Sequence, residues 1–244
     1  MSAKWYQKWF DSPYYHILYH QRNDAEAEFF IDKLCNYLHP HPEAKMLDIA
    51  CGKGRHSVYL NKKGYDVTGI DLSYSSIKYA RQFENDKLHF FEHDMRNLLY
   101  INYFDVAFNL FTSFGYFDTE KDNVNALKAF RKSINNKGTL VLDYFNSEKI
   151  VHNLIETEVK SIEGIDFHIK KQVIDGHIQK TIEFKHGRKY KFQEEVQAFT
   201  FSDFERLFKL SGFKINAYFG SYSLEDFEEK HSDRLIFICS KADV

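Results

Sequence analysis

The residues best suited to chemistry fall in one stretch, Met46-Leu-Asp-Ile-Ala-Cys-Gly-Lys-Gly-Arg-His-Ser57, and in an aspartate shortly beyond it. Gly52 and Gly54 can take positive φ and carry no Cβ, so the backbone there can turn sharply and approach a ligand. The apolar run from Met46 to Ile49 reads as a strand. Arg55 to Lys63 can form a helix whose first N–H groups face the same space. Val67 to Ile70 reads as a second strand with Asp71 at its carboxyl end, where an acidic side chain can hydrogen-bond both hydroxyls of a ribose. Together they describe a site for a nucleoside-type cofactor.

A dinucleotide site needs G-x-G-x-x-G around a pyrophosphate. Here the run is Asp48-x-Ala50-x-Gly52-x-Gly54, which does not build that cradle, and an acidic residue at the strand end repels phosphate. The stretch resembles the glycine-rich motif of class I S-adenosylmethionine-dependent methyltransferases in its Leu-Asp-x-Ala-Cys-Gly-x-Gly form. The resemblance implies S-adenosylmethionine as cofactor and S-adenosylhomocysteine as product. It sets the loop of Ala50, Cys51, Gly52 and Gly54 against the methionine part, and Asp71 on the ribose. Cys51 has no paired base in view and reads as a filler of the turn.

Positioning these residues takes a frame of alternating strands and helices. Asn23 or Asp24 can cap a helix running to about Leu38. Strands are expected at 46–50, 65–70, 88–91, 104–109 and 139–144, with helices at 55–63, 73–83 and 120–135 between them. Near-continuous apolar strands separated by helices mark a parallel sheet covered on both faces. After Asn146 the pattern changes to period two, with breaks at Glu163-Gly164, Asp175-Gly176 and His186-Gly-Arg188, so three or four antiparallel strands are expected. Ser202 and Glu205 offer a capping box for a helix over 203–210, ended by Gly212. Two closing strands follow at 213–219 and 235–239, the last antiparallel by the same resemblance. The expected fold is α/β, Rossmann-like, with a seven-stranded, mostly parallel sheet and an inserted antiparallel cap. Residues 1–43 would form an aromatic arm and helix, 44–150 the cofactor-binding core, 151–198 the cap and 199–244 the return to the core.

Ligands bind outside the carboxyl ends of parallel strands, which gathers Asp48, Asp71, Asp94 and Asn109. Asp94 can accept from an exocyclic amine, and Leu72 and Met95 can sandwich an adenine. His93-Asp-Met-Arg96 looks like the adenine-binding loop of the family. Arg55 and His56 read as surface or supporting residues. A sulfonium methyl arrives already activated, so alignment and exclusion of water can carry much of the rate. No single catalytic residue is then compelled; Asn109, Tyr116 and His20 are the candidates. His16 and His20 have helical spacing but lack a third ligand, so no metal is expected.

A wider resemblance, over roughly residues 10 to 240, is to small methyltransferases with a Tyr-rich N-terminal arm. Tyr14, Tyr15 and Tyr19 carry it here, with the run Phe104 to Phe117. It points to the arm and cap as the acceptor-binding side, with Tyr14, Tyr15, Tyr19, Phe111, Phe114, Tyr116, Arg188 and Tyr190 as candidate contacts. Arg188 is suited to an anionic group by its planar fork.

Net charge is −2 over 244 residues with scattered basic residues, which gives no footprint for a long nucleic acid. No eighteen-residue apolar run marks a membrane span, and the chain reads as cytoplasmic. The 24 Phe and 16 Tyr exceed what one core needs, which leaves rings for a pocket or a homodimer contact. The expected activity is methyl transfer to an N or O atom of a small molecule. The alternatives are an RNA or modified-nucleoside methyltransferase, and a non-catalytic S-adenosylmethionine-binding or scaffold protein.

Overall fold

The computed structural model describes residues 5–19 and 24–242. Two short helices, α1 (Trp5–Phe10) and α2 (Pro13–Leu18), form the arm, and Ser12 caps the second by accepting from the Tyr14 N–H. α3 (Asp24–Leu38) follows, and then the alternation begins. β1 (Lys45–Ile49) leads into α4 (Arg55–Lys62), and β2 (Asp66–Asp71) into α5 (Tyr74–Ala80). β3 (Leu88–Glu92), β4 (Phe104–Asn109), α6 (Glu120–Ser133) and β5 (Ile134–Phe145) complete it.

After α7 (Ser147–His152) come the four cap strands, β6 (Thr157–Ile162), β7 (Ile165–Ile174), β8 (His177–His186) and β9 (Arg188–Gln197). They form an antiparallel sheet in chain order. Glu163-Gly164 and Asp175-Gly176 each hold two successive residues at positive φ, the primed geometry that suits the twist of a tight hairpin. α8 (Phe201–Ser211), β10 (Phe213–Phe219) and β11 (Arg234–Lys241) return the chain to the main sheet.

That sheet has seven strands in the order β10-β11-β5-β4-β1-β2-β3. β11 runs antiparallel to both neighbours, and the pairings from β5 across to β3 are parallel. Alternate residues feed opposite faces, as a pleated strand requires. Leu47, Ile49 and Ala107 pack with Phe130 of α6 and Phe204 of α8. Met46, Val106 and Phe108 pack with Phe30 of α3, Leu60 of α4 and Ile77 of α5. A third core joins the arm to the cap, where Trp9 and Leu18 bury against Phe167, Ile169, Ile182 and Phe184.

Two boundaries differ from the sequence reading. β5 begins at Ile134 rather than Thr139, because Ile134 pairs with Phe104 and the register shifts before Val106 meets Thr139. The capping box of α8 is Thr200 with Asp203, not Ser202 with Glu205. The helix starts earlier, at Phe201, whose ring packs on Phe237 of the core at 5.6 Å.

Candidate active site

The chain leaves β1 for β2 and β3 on one side, and β4 and β5 lie on the other, so the carboxyl ends of β1 and β4 open a crevice. Ala50 leaves β1 in the left-handed region at φ 58°, followed by Gly52 at 56°. The Asp71 carboxylate ties this turn: it accepts from the Gly52 N–H at 2.9 Å and from the Ser73 N–H at 2.8 Å. Burial raises the Asp71 carboxyl, and those two N–H groups oppose the rise. Each of its oxygens keeps a lone pair for a further donor.

One cavity lies over this turn, lined among others by Ala50, Gly52, Asp71, Leu72, Asp94 and Met95. A Cβ built on Gly52 meets nothing within 4 Å, so the glycine leaves open space for a ligand. Gly54 does something else. It lines none of the cavities described, and a Cβ there would meet the Phe90 ring at 2.7 Å, so it serves close packing and the start of α4. Asp94 is gripped by Arg96, whose Nε donates at 3.0 Å and Nη2 at 2.5 Å. Burial works against ionisation of Asp94, but the Arg96 fork outweighs it and holds the carboxyl below the usual range.

A second cavity adjoins the first and is lined by Asp48, Ala50, Cys51, Gly52, Arg55 and His56, among others. The Asp48 carboxylate accepts from the Ser57 hydroxyl at 2.6 Å. His56 is buried, and its Nε2 has no hydrogen-bond partner among the described residues. Burial and the neighbouring Arg55 push its imidazole down to about 3, so it is neutral at pH 7. Sequence reads His56 as a surface or supporting residue, and its burial at the wall of this cavity leaves only the supporting position. Burial pushes the Cys51 thiol well above its ordinary value, which leaves it no thiolate character.

The loop after β4 is strained and firmly held. Phe111 and Thr112 both sit in the left-handed region, at φ 57° and 59°. Fully buried Asp143 accepts from the Phe111 N–H at 2.7 Å and from Arg234 Nε at 2.8 Å, and Arg234 Nη2 donates to the Thr112 hydroxyl at 3.0 Å. Such strain persists only where surrounding contacts over-determine it.

A third cavity lies between this loop, the arm and the cap sheet, with Tyr15, Tyr19, Tyr116, Lys171, Lys180 and Glu194 in its wall. Tyr15 and Phe111 line all three cavities, which therefore meet at those two rings. The arm is latched nearby: Asp11 accepts from the hydroxyls of Ser73 and Ser75, beside Asp71.

Several residues singled out in the sequence lie elsewhere. Asn109 is fully buried and lines none of these cavities; its Nδ2 donates to the Ile49 carbonyl at 3.1 Å and ties β4 to β1. Phe114 is fully buried in the core against Phe130 and Phe204. Tyr14, Arg188 and Tyr190 cluster with Phe184 where the arm meets the cap and line none of these cavities. The Tyr116 hydroxyl donates to the Thr112 carbonyl at 2.7 Å, although its ring lines two of the cavities. His20 lies outside the described residues. Lys171, Lys180 and Glu194 carried no motif and were not anticipated. The signal available was parity, because each shares the apolar side of its strand.

A seven-stranded sheet in this order is the frame of class I S-adenosylmethionine-dependent methyltransferases, and comparison with known proteins places the chain among them. The Methyltransferase domain family matches residues 40–198, more than half of the chain, and the chain belongs to that family. The putative methyltransferase YqeM of Bacillus subtilis is 32% identical over 111 residues, 44% of this chain and 45% of that protein. Glycine/sarcosine N-methyltransferase of Parasynechococcus marenigrum is 31% identical over 142 residues, 55% of this chain and 48% of that protein. The chain thus spans about half the length of these curated relatives. The crystal structure of an S-adenosylmethionine-dependent methyltransferase from Clostridium acetobutylicum shares the fold, with TM-score 0.79 at 20% identity over 94% of this chain and 96% of that one. S-adenosylmethionine is the cofactor of the class, and the open face of Gly52 and the spare acceptor capacity of Asp71 fit it. No helix among the described residues is long and apolar enough to cross a membrane.

Proposed function

We infer that this protein transfers the methyl group of S-adenosylmethionine to an amine nitrogen of a small polar metabolite held under the cap. The observation that carries the reading is the junction of three cavities at Tyr15 and Phe111, two rising from the glycine turn and the third walled by the cap. The cofactor supplies an electrophilic methyl on a sulfonium. Asp71 would accept from the ribose hydroxyls and Asp94 from the exocyclic amine, while Leu72 and Met95 would flank the adenine. Asp48, Ala50, Cys51 and Gly52 would border the methionine part. The rings of Tyr15 and Phe111 make the junction apolar, and the arm and cap border it. A walled cavity, rather than an open basic surface, supports a small acceptor over RNA. The name of the glycine/sarcosine relative supports nitrogen over oxygen.

Calorimetric titration with S-adenosylhomocysteine and methylation of a panel of small amines and alcohols test this. Asp71→Ala should weaken binding about tenfold or more, because hydrogen bonds to a charged group are lost. Undiminished binding in that variant would overturn the cofactor placement. Methylation confined to hydroxyl compounds would overturn the choice of nitrogen.

A further inference from the structure

The cap sheet carries three polar side chains where its own period calls for apolar ones. Ile165, Phe167, Ile169, Lys171 and Val173 share one side of β7. Ile178, Lys180 and Ile182 share one side of β8, and Phe192, Glu194 and Val196 one side of β9. In the ladder, Ile169, Ile182 and Phe192 stand in one row, and Val173, Ile178 and Val196 in another. Lys171, Lys180 and Glu194 form the row between them.

Lys171 and Lys180 are therefore directly opposed. Side chains so placed have Cβ atoms roughly 4.5–5.5 Å apart, and like charges there destabilise a sheet. The two lysines face the acceptor cavity and are only 26% and 13% exposed. Glu194 is already engaged: it accepts from the Trp9 indole at 2.5 Å and the Tyr19 hydroxyl at 2.7 Å, and lies 3.4 Å from the Lys180 ammonium. Lys171 pairs with Glu158, which lies outside this row, at 2.6 Å. Lys180 also donates to the Tyr19 hydroxyl. An ammonium has three N–H groups, so among the described residues Lys180 has one left and Lys171 two. Burial holds the Lys180 ammonium below the usual lysine range, opposed by Glu194 and reinforced by Lys171. Each lysine has one carboxylate beside it, Glu158 for Lys171 and Glu194 for Lys180, and an anion held between the two ammoniums would take up the N–H groups that remain.

We propose that Lys171 and Lys180 form an oxyanion site for the methyl acceptor, which then carries a carboxylate or a phosphate besides the nitrogen that is methylated. This rests on the amine-methyltransferase reading and adds the chemical class of its substrate. It moves the anion-binding role from Arg188, where sequence put it, to a row within the cavity.

The test is thermal unfolding of the protein saturated with S-adenosylhomocysteine, at constant ionic strength, with acetate or inorganic phosphate titrated in. Saturable stabilisation by either supports the proposal; phosphate alone marks a phosphate ester and acetate alone a carboxylate. Lys171→Gln and Lys180→Gln should each raise the half-saturating concentration about tenfold or more, and Lys180→Arg should restore much of the loss. Glu194→Gln keeps an acceptor for Trp9 and Tyr19 but removes the competing charge, so it should lower that concentration severalfold. Unchanged S-adenosylhomocysteine affinity shows that the variants are folded. No saturable effect of either anion on the wild type, or the same effect in both lysine variants, would overturn the proposal. Amine methylation without anion binding removes this inference alone, whereas anion binding without amine methylation removes the reading beneath it.

Discussion

Asp48 lies fully buried beneath the glycine turn, and desolvation pushes its carboxyl up to about 6, with the Ser57 hydroxyl opposing the shift. The folded protein then holds this proton more tightly than the unfolded chain. Asp48 therefore favours the native state when protonated, and its contribution is lost as pH rises from 3.8 towards about 6. Replacement by Asn removes that slope, so the stability of Asp48→Asn relative to wild type should climb across this interval and level off above it. Denaturant melts over a pH series read this, and a difference independent of pH would show that the carboxyl is not raised. Asp143 makes a different prediction. Removing it leaves Arg234, only 14% exposed, without its carboxylate, and breaking such a buried pair costs about 3–5 kcal/mol. Asp143→Ala should lose that much in urea melts and should also slow the proposed methyl transfer, since the Phe111 N–H loses its acceptor and Arg234, which donates to Thr112, loses its anchor.

Helix boundaries show where pattern reading reaches its resolution. Thr200 and Asp203 close the reciprocal box at the start of α8, with the Asp203 N–H donating to Thr200 at 3.3 Å and the Thr200 N–H to Asp203 at 3.0 Å. Thr200→Ala should cost about 0.5–2 kcal/mol, the usual penalty for a lost cap. Ser202→Ala, the position favoured by sequence, should cost close to nothing, and equal losses in the two would contradict the assignment. Both readings satisfy the same local motif. Packing of Phe201 against Phe237, at a centroid distance of 5.6 Å, goes with the earlier one.

At the scale of the whole molecule, the arm and cap share a core separate from the two that sandwich the main sheet. Trp9 is fully buried there, donates to Glu194 and packs on Phe192 at 4.6 Å. Trp9→Ala should cost about 3–5 kcal/mol at this site. The cost falls on arm docking, so limited proteolysis should cut the arm much faster while β1 to β5 stay protected. Cleavage spread evenly through the chain would show instead that the three cores unfold together. Part of the aromatic content is used in the same way: Phe114, Phe130, Phe204, Phe208 and Phe237 fill one core, and Tyr15, Phe111 and Tyr116 line the cavities.

The sequence by itself determined the parallel core, the glycine turn, the carboxylate at the end of β2 and the hairpin character of the cap. Each of these is a local signal: an apolar run, a residue needing positive φ, or a period of two. Only the tertiary structure decided that Gly54 packs on Phe90, that Asn109 ties strands together, and that Lys171, Lys180 and Glu194 share one row. Those outcomes depend on register and on what crosses over from distant segments. Lys171 and Glu194 are 23 residues apart in sequence and meet only through β8, which stands between them. A one-residue slip in either hairpin would turn one of them to the opposite face.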